Sequence, residues 1–441
     1  MTGKALFLFL FLTTLNSFLF AQGILGGGSG TVADPYIINT SAHFAELSDL
    51  VNTGNDFAGK YLIMQNDIDF NTQNHTPIGN NFGSTTMLFN GYFDGQNHSI
   101  TNFKSSFSEV GIGLFGAIGA NADVRNIHIA SGNVSGSGLV GAVVGFNNGG
   151  HVYHCSTGSN VTVSTGAFYA GGIVGANDVN GTIERCVNKA RVKGTGNAMN
   201  IGGITGASNG TITECCNFGE ISGNEYVGGI VSYSDEGNII RNCFNAGKIT
   251  ANSQYAGGII GAIISSNSST IENSYNYGSI NCSSHKAAIC AYCSAIDVLT
   301  NNHYDQQTSN TTDANAGAQT TAVMTSGSFS GTLNSTSSTC WVEDINSNNN
   351  NYPIFDWFST TGIPASLSNN VNPTISSDDN EIIISFNEAI QGFISVYNLS
   401  GQLLHFCEIN STIHRIPVFN GGIYFIKISN EQGSYISKIF H

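Results

Sequence analysis

The chain has 441 residues, among them 54 Gly and only 6 Pro; 10% are charged, and the formal net charge is -15. Apolar content of 41% at so low a charge excludes an intrinsically disordered chain, which needs few apolar residues and high charge. The acidity argues against nucleic acid and anionic membrane surfaces as partners.

Residues 1–22 read as a signal peptide. Lys4 supplies a short basic region, Ala5 to Phe20 is an apolar run, and Ala21 followed by Gln22 offers a cleavage point behind a small residue. The run is shorter than the roughly 20 residues of a spanning helix, and no later stretch qualifies. No cysteine follows the cleavage point, which argues against a lipid anchor. The expectation is a soluble mature chain outside the cytoplasm, with no transmembrane segment.

Residues 23–110 form an N-terminal cap and the first coils. Ser41 is placed to cap a helix whose apolar face is Phe44, Leu47, Leu50 and Val51, ending at Asn52 to Gly54. Laid over the first coil, such a helix would cover an open sheet edge. Tyr61 to Phe70 and Phe89 to Ile100 read as strands, with a turn at Asp94-Gly95.

Residues 111–306 repeat. A glycine-rich apolar hexamer recurs every 26 to 31 residues or so. It reads GIGLFG ending at Gly116, VGAVVG at Gly145, AGGIVG at Gly175, IGGITG at Gly206, VGGIVS at Ser232 and AGGIIG at Gly261, with a decayed AAICA at Ala291. About ten residues after a hexamer comes I-x-x-C-x-N-x-G-x-I, clearest at Ile212, Cys215, Asn217, Gly219 and Ile221. The apolar positions carry no helical stripe and favour Val, Ile, Tyr and Phe, so each repeat reads as one coil of a parallel β-solenoid. The fold class is all-β: this solenoid, a short N-terminal capping helix and a small C-terminal β-sandwich.

Coils stacked at about 4.8 Å place equivalent residues above one another. Asn188, Asn217, Asn245 and Asn276 then form an amide ladder. Cys155, Cys186, Cys215 and Cys243 share another column, where strand spacing exceeds the roughly 3.8 Å between Cβ atoms of a disulfide, so small buried thiols are the reading. Cys282, Cys290 and Cys293 cluster near the last coils. A zinc site there needs a fourth ligand and a redox C-x-x-C a βαβ context, which leaves one local disulfide as the expectation. No cofactor or metal is expected.

Residues 307–357 close the solenoid, and 358–370 form a linker. Residues 371–441 alternate in short apolar runs at Asn380 to Phe386, Ile390 to Tyr397, Leu403 to Ile409, Ile413 to Val418 and Ile423 to Ile428, with turns at Ser400-Gly401 and Gly421-Gly422, as a small sandwich does.

GSGTVADPYIINTSAHFAELSDLVN at 28–52, GKYLIMQNDIDF at 59–70, FNGYFDGQNHSI at 89–100 and the GGIVG hexamers resemble the GLUG-motif proteins, exported bacterial surface proteins of which many are adhesin-like. NNHYDQQTS at 301–309, TTAVMTSGSFSGTLN at 320–334, Trp341 and NYPIFDW at 351–357 are similar to the segment that closes such repeats. Ser232 and the Ala-rich last copy depart from the motif, and the regularity of the final coils is expected to suffer there. FISVYNLSGQLL, GGIYFIKI and YISKIF, with Gly401, Gly422 and Lys438, resemble the C-terminal sorting domain of the type IX secretion system of Bacteroidetes; Val371-Asn372-Pro373 matches its opening in part. That resemblance implies the type IX machinery as a partner, outer-membrane translocation, and a secreted or surface-attached product.

Tyr169, Tyr226 and Tyr255 precede the hexamer at matching positions, with Asn200 breaking the series, and are the candidate binding residues for a polysaccharide or a host or cell-surface protein. A second aromatic patch is Phe218, Phe244, Tyr275 and Tyr277. The alternatives are a polysaccharide lyase or glycosidase, as on other β-helices, and a purely structural surface-layer component. Catalysis would need two facing carboxylates or a calcium-binding acid cluster, whereas Glu184, Glu214 and Glu272 neighbour Arg185 and Arg241 as cross-coil ion pairs would. The expectation is a binding protein, not an enzyme.

Overall fold

The computed structural model describes residues 25–82, 85–108, 111–265, 267–294, 296–334, 339–358, 373–378, 381–386, 393–398, 403–409, 411–417, 423–430 and 433–440. The chain divides into two compact units, residues 1–325 with 332–338, and residues 326–331 with 339–441.

In the first unit the repeats wind into a parallel β-solenoid of about nine turns. Each regular coil crosses three walls. The first wall stacks ten parallel strands, from Tyr36–Ile38 through His151–Tyr153 and Thr211–Thr213 to Val298–Thr300. The hexamer ends on the third wall, seven strands from Phe115–Ile118 to Cys290–Tyr292. Longer strands such as Ile221–Gly228 and Ile249–Gly257 build the wall between them. Inward-facing residues, among them Ile183, Ile212, Ile240 and Ile271, fill one continuous apolar core.

The two sequence columns explain one another. Asn188 donates through Nδ2 to Asn217 Oδ1 at 2.7 Å, Asn217 to Asn245 at 2.7 Å and Asn245 to Asn276 at 2.8 Å, all fully buried. Each Nδ2 also reaches the carbonyl two residues ahead, as Asn217 does at Gly219 O. The second glycine of the hexamer lies against this ladder. A Cβ on Gly229 would come within 2.5 Å of Asn245 Cγ, and one on Gly258 within 2.6 Å of Asn276 Cγ. Glycine is therefore required for space, since a methyl group there would collide with the amide.

The first wall ends in a corner where the backbone turns left-handed at Asn126, His154, Arg185, Glu214, Asn242, Asn273 and Asn301, with φ between 50° and 55°. The cysteine column follows it by one residue. Cys155, Cys186, Cys215 and Cys243 each donate a thiol to the carbonyl two residues back, at 3.2 to 3.4 Å, and Ser274 does so at 2.9 Å. The next coil's side chain accepts the backbone N–H, Cys186 N to Cys215 Sγ and Cys243 N to Ser274 Oγ. Burial pushes the thiols of Cys155, Cys186 and Cys215 up. No disulfide joins any described cysteine, and the one expected among Cys282, Cys290 and Cys293 is not formed.

The helix spans Ser41–Asn52, but its N-cap is Thr40 rather than Ser41. Thr40 keeps extended backbone, φ -142°, directly after the strand Tyr36–Ile38, and accepts from His43 N. Phe44 plugs the first coils, 5.4 Å from Phe70 and 5.8 Å from Phe93 between ring centroids. The two departures from the hexamer do not break the stack. Val231, beside Ser232, pairs with Thr205 and with Ile260, and the Ala-rich copy pairs through Ile260 with Cys290.

The second unit holds an antiparallel pair, Trp341–Val342 with Ile354–Phe355, whose connecting loop wraps Asp344 through N–H groups of Asn348, Asn349 and Asn351. Its tail has a three-stranded antiparallel sheet of Thr374–Asp378, Glu381–Ser385 and Ile413–Pro417, and a four-stranded one of Leu403–Glu408, Phe393–Asn398, Ile423–Asn430 and Gly433–Phe440. One apolar cluster draws Ile382, Ile384 and Ile416 from the first and Ile394, Val396 and Ile426 from the second. Lys438 stands opposite Phe425. Gly401 and Gly422, like Ala21 and Gln22 of the leader, lie outside the described residues.

Candidate functional site

The register of the middle wall sets Tyr169, Asn200, Tyr226, Tyr255 and His285 in one column, just ahead of the inward residues Ala170, Ile201, Val227 and Ala256 and of half-buried Lys286. Tyr226 and Tyr255 take left-handed backbone, φ 51° and 57°, a conformation unfavourable to bulky residues and maintained only where the surroundings impose it. Asn200 of the same column is left-handed too, φ 60°, so the turn of the coil imposes it. Tyr226 and Tyr255 stack with centroids 5.2 Å apart and planes 1° from parallel, and His285 continues the stack 4.9 Å beyond Tyr255. Ser232, in place of the usual closing glycine, donates its hydroxyl to Tyr226 O.

Tyr169 is separated from this stack by buried Asn200 and stacks instead on Phe168, at 6.4 Å and 27°. Phe168 is 55% exposed. Two further rings come from the third wall. Tyr233 meets Tyr226 edge-on at 5.8 Å, and Tyr292, 48% exposed, meets Tyr255 edge-on at 5.3 Å. Burial raises Tyr169, Tyr226 and Tyr233 above the usual phenol range, Asp235 adding to it at Tyr169 and Tyr233 and Glu225 at Tyr226, so all three are neutral hydroxyls at pH 7. The edge as a whole is aromatic, hydroxyl-bearing and acid-rimmed, the chemistry that holds sugar rings or a partner's side chains.

The sequence pattern picked out Tyr169, Tyr226 and Tyr255 but missed Phe168, Tyr233, His285 and Tyr292. Tyr233 and Tyr292 sit at equivalent hexamer-plus-one positions with Ala262 between them, and comparing the residue after each hexamer would have found them. The other proposed patch is largely internal. Phe244 and Tyr275, each just before a ladder Asn, are fully buried and stacked at 5.1 Å, Tyr277 is buried beside them, and only Phe218 is half-buried, edge-on to Phe244 with the Lys189 ammonium over its ring.

Charged groups gather on the outer side of the first wall. Arg185 Nε lies 2.8 Å from Glu214 and Arg241 Nε 2.8 Å from Glu272, each pair bridging adjacent coils. His151 lies between Asp123, 3.5 Å away, and Glu184, 3.6 Å away, and these carboxylates push it up to about 9. Burial opposes ionisation of Asp123, yet His151 and Arg125 hold it below the usual carboxylate range; His151 does the same for Glu184. Both acids are thus engaged by one imidazolium. Among the described residues no group of His, Cys, Asp and Glu has the arrangement of a metal site.

A sequence family described as a secretion system C-terminal sorting domain matches residues 372–440. This tail, of the type IX route, marks a secreted or cell-surface protein. Among the described residues no helix is long and apolar enough to cross a membrane. The chain is 31% identical over 132 residues, 29% of its length, to a protein named "Putative Gly-rich membrane protein" from Evansella cellulosilytica. It is 27% identical over 244 residues, 53% of its length, to a protein named "Halomucin" from Haloquadratum walsbyi. The chain spans 15% and 2% of these relatives' own lengths. No solved structure matches it.

Proposed function

We propose that this protein is an adhesin-like binding protein, exported by the type IX system, whose solenoid presents an aromatic edge to a polysaccharide or a cell-surface protein. The observation that carries this reading is the Tyr226, Tyr255 and His285 stack, with exposed Tyr292 against Tyr255 and exposed Phe168 beyond Asn200. Rings kept at a surface in left-handed backbone are better explained by recognition than by packing alone. The resemblance to GLUG-motif surface proteins points the same way. The two C-terminal sheets, sharing one apolar cluster, are read as the sandwich of the sorting domain.

A binding role is favoured over catalysis because the acids of the first wall are paired with Arg or His. A cavity of about 70 Å³ near the N-terminal coils, lined by Asn52, Thr76, Pro77 and Gly79, is too small for a sugar residue. A glycan array and polysaccharide pulldown with the mature protein, followed by product analysis after long incubation, tests the reading. Binding without new reducing ends or unsaturated products is the expected result. New products would replace it with an enzyme, and silence on both counts would shift it to a protein partner or a structural surface component.

A further inference from the structure

The rings of the aromatic edge are not equivalent. Tyr226, Tyr255 and His285 lie face to face, so the faces they turn to one another are already covered and cannot receive a ligand ring. Tyr233 and Tyr292 stand across that stack at 61° and 70° and are not part of its face-to-face column. Their register partner on the coil between them is Ala262. A Tyr there would close the column at one strand spacing; Ala leaves the two rings about 9.6 Å apart along the axis, twice that spacing. In that column the two preceding coils carry Ala207 and Ala176, so the two-coil spacing is that of Tyr233 and Tyr292 alone; exposed Phe168, stacked on Tyr169, lies ahead of the strand Tyr169–Gly171 in a different column.

This spacing selects a ligand. In an extended β-1,4-linked glycan successive sugars are flipped, so the same apolar ring face returns on every second residue, at nearly the two-coil distance. Acids border the edge: Asp235, held by Asn209 Nδ2 at 2.8 Å, and Glu225 beside Tyr226. Among the described residues neither is in an ion pair, and the whole chain is acidic. Such a rim accepts hydrogen bonds from sugar hydroxyls and repels carboxylated or sulfated chains.

Resting on the binding reading above, we propose that the ligand is a neutral, extended β-linked polysaccharide lying parallel to the solenoid axis. In this arrangement Tyr233 and Tyr292 supply the faces on which alternate sugars rest, and Tyr226 and Tyr255 hold those faces in position.

Isothermal titration of the mature protein with cellobiose, cellohexaose, hydroxyethyl cellulose and polygalacturonate tests this. Cellohexaose is expected to bind at least about tenfold more tightly than cellobiose, which spans one ring only, and polygalacturonate not to bind. Tyr233→Ala and Tyr292→Ala should each weaken cellohexaose binding about tenfold, the worth of one stacked ring, at an unchanged melting temperature. Tyr292→Phe, which keeps the ring, should retain affinity. Wild-type affinity in both Ala variants, no gain from cellobiose to cellohexaose, or preference for polygalacturonate would overturn the assignment while leaving an adhesin intact. Absence of binding to every polysaccharide of the array would overturn both the assignment and the polysaccharide arm of the binding reading.

Discussion

Tyr226 and Tyr255 lie one above the other on adjacent coils, 5.2 Å between ring centroids and 1° from parallel. Each is in left-handed backbone, so the stack offsets local strain as well as forming a surface.

Removing one ring therefore costs stability. Tyr255→Ala, which takes out the centre of the Tyr226, Tyr255 and His285 stack, is expected to destabilise the solenoid by about 1 to 3 kcal/mol, from lost stacking and lost burial. Tyr255→Phe should stay within about 0.5 kcal/mol. Denaturant midpoints compare the two; equal midpoints for Ala and wild type would mean that the stack contributes nothing to folding.

The amide ladder makes a sharper demand. Asn245→Ala removes the acceptor of Asn217 Nδ2 and the donor to Asn276 Oδ1, leaving buried amide groups short of partners on two coils. A loss of about 2 to 4 kcal/mol is expected. Asn252→Ala, on an exposed position of the neighbouring strand, is the control and should lie within about 0.5 kcal/mol. Similar melting temperatures for the two variants would refute the ladder's role.

Two histidines give stability opposite slopes with pH. His75 is buried among Phe44, Phe70 and Phe103 with Nε2 3.0 Å from Leu114 O, and burial lowers it to about 4. It is neutral in the fold and charges more readily when unfolded. Its stabilisation is complete above about pH 6.5 and is lost as pH falls through 4, a change of about 3 kcal/mol. His151, raised to about 9 by Asp123 and Glu184, contributes fully below about pH 6.5 and loses its contribution as pH rises through 9. In melts from pH 3 to 10, His75→Gln should flatten the acid limb and His151→Gln the alkaline limb. Unaltered limbs in both variants would show that other groups set the profile.

The solenoid was legible because its signal is redundant. Asn217, Asn245 and Asn276 recur at one spacing, and glycine must recur opposite them because the amide leaves no room for a Cβ. The cap was misplaced by one residue because Thr40 and Ser41 are equally suited as side chains, and the end of the strand at Ile38 decides which keeps extended backbone. Inside and outside were the hardest distinction. Tyr275 and Tyr255 are both aromatic and both repeat-phased, yet one is fully buried at a corner and the other half-buried in the stack, a difference fixed by which way the chain turns rather than by residue type. The role of Cys215 was equally hidden. Its column looks like a hydrophobic filler, whereas in the fold the thiol accepts Cys186 N–H and donates to Thr213 O.

The column Ala176, Ala207, Tyr233, Ala262, Tyr292 carries an order that the backbone lacks. Each coil is interchangeable with its neighbour as far as the walls are concerned, but this column tells one end of the rod from the other. Duplicating a coil with Ala in the column would lengthen the rod and add no ring to the edge. Rod length and aromatic surface are thus set independently, although the same repeat builds both.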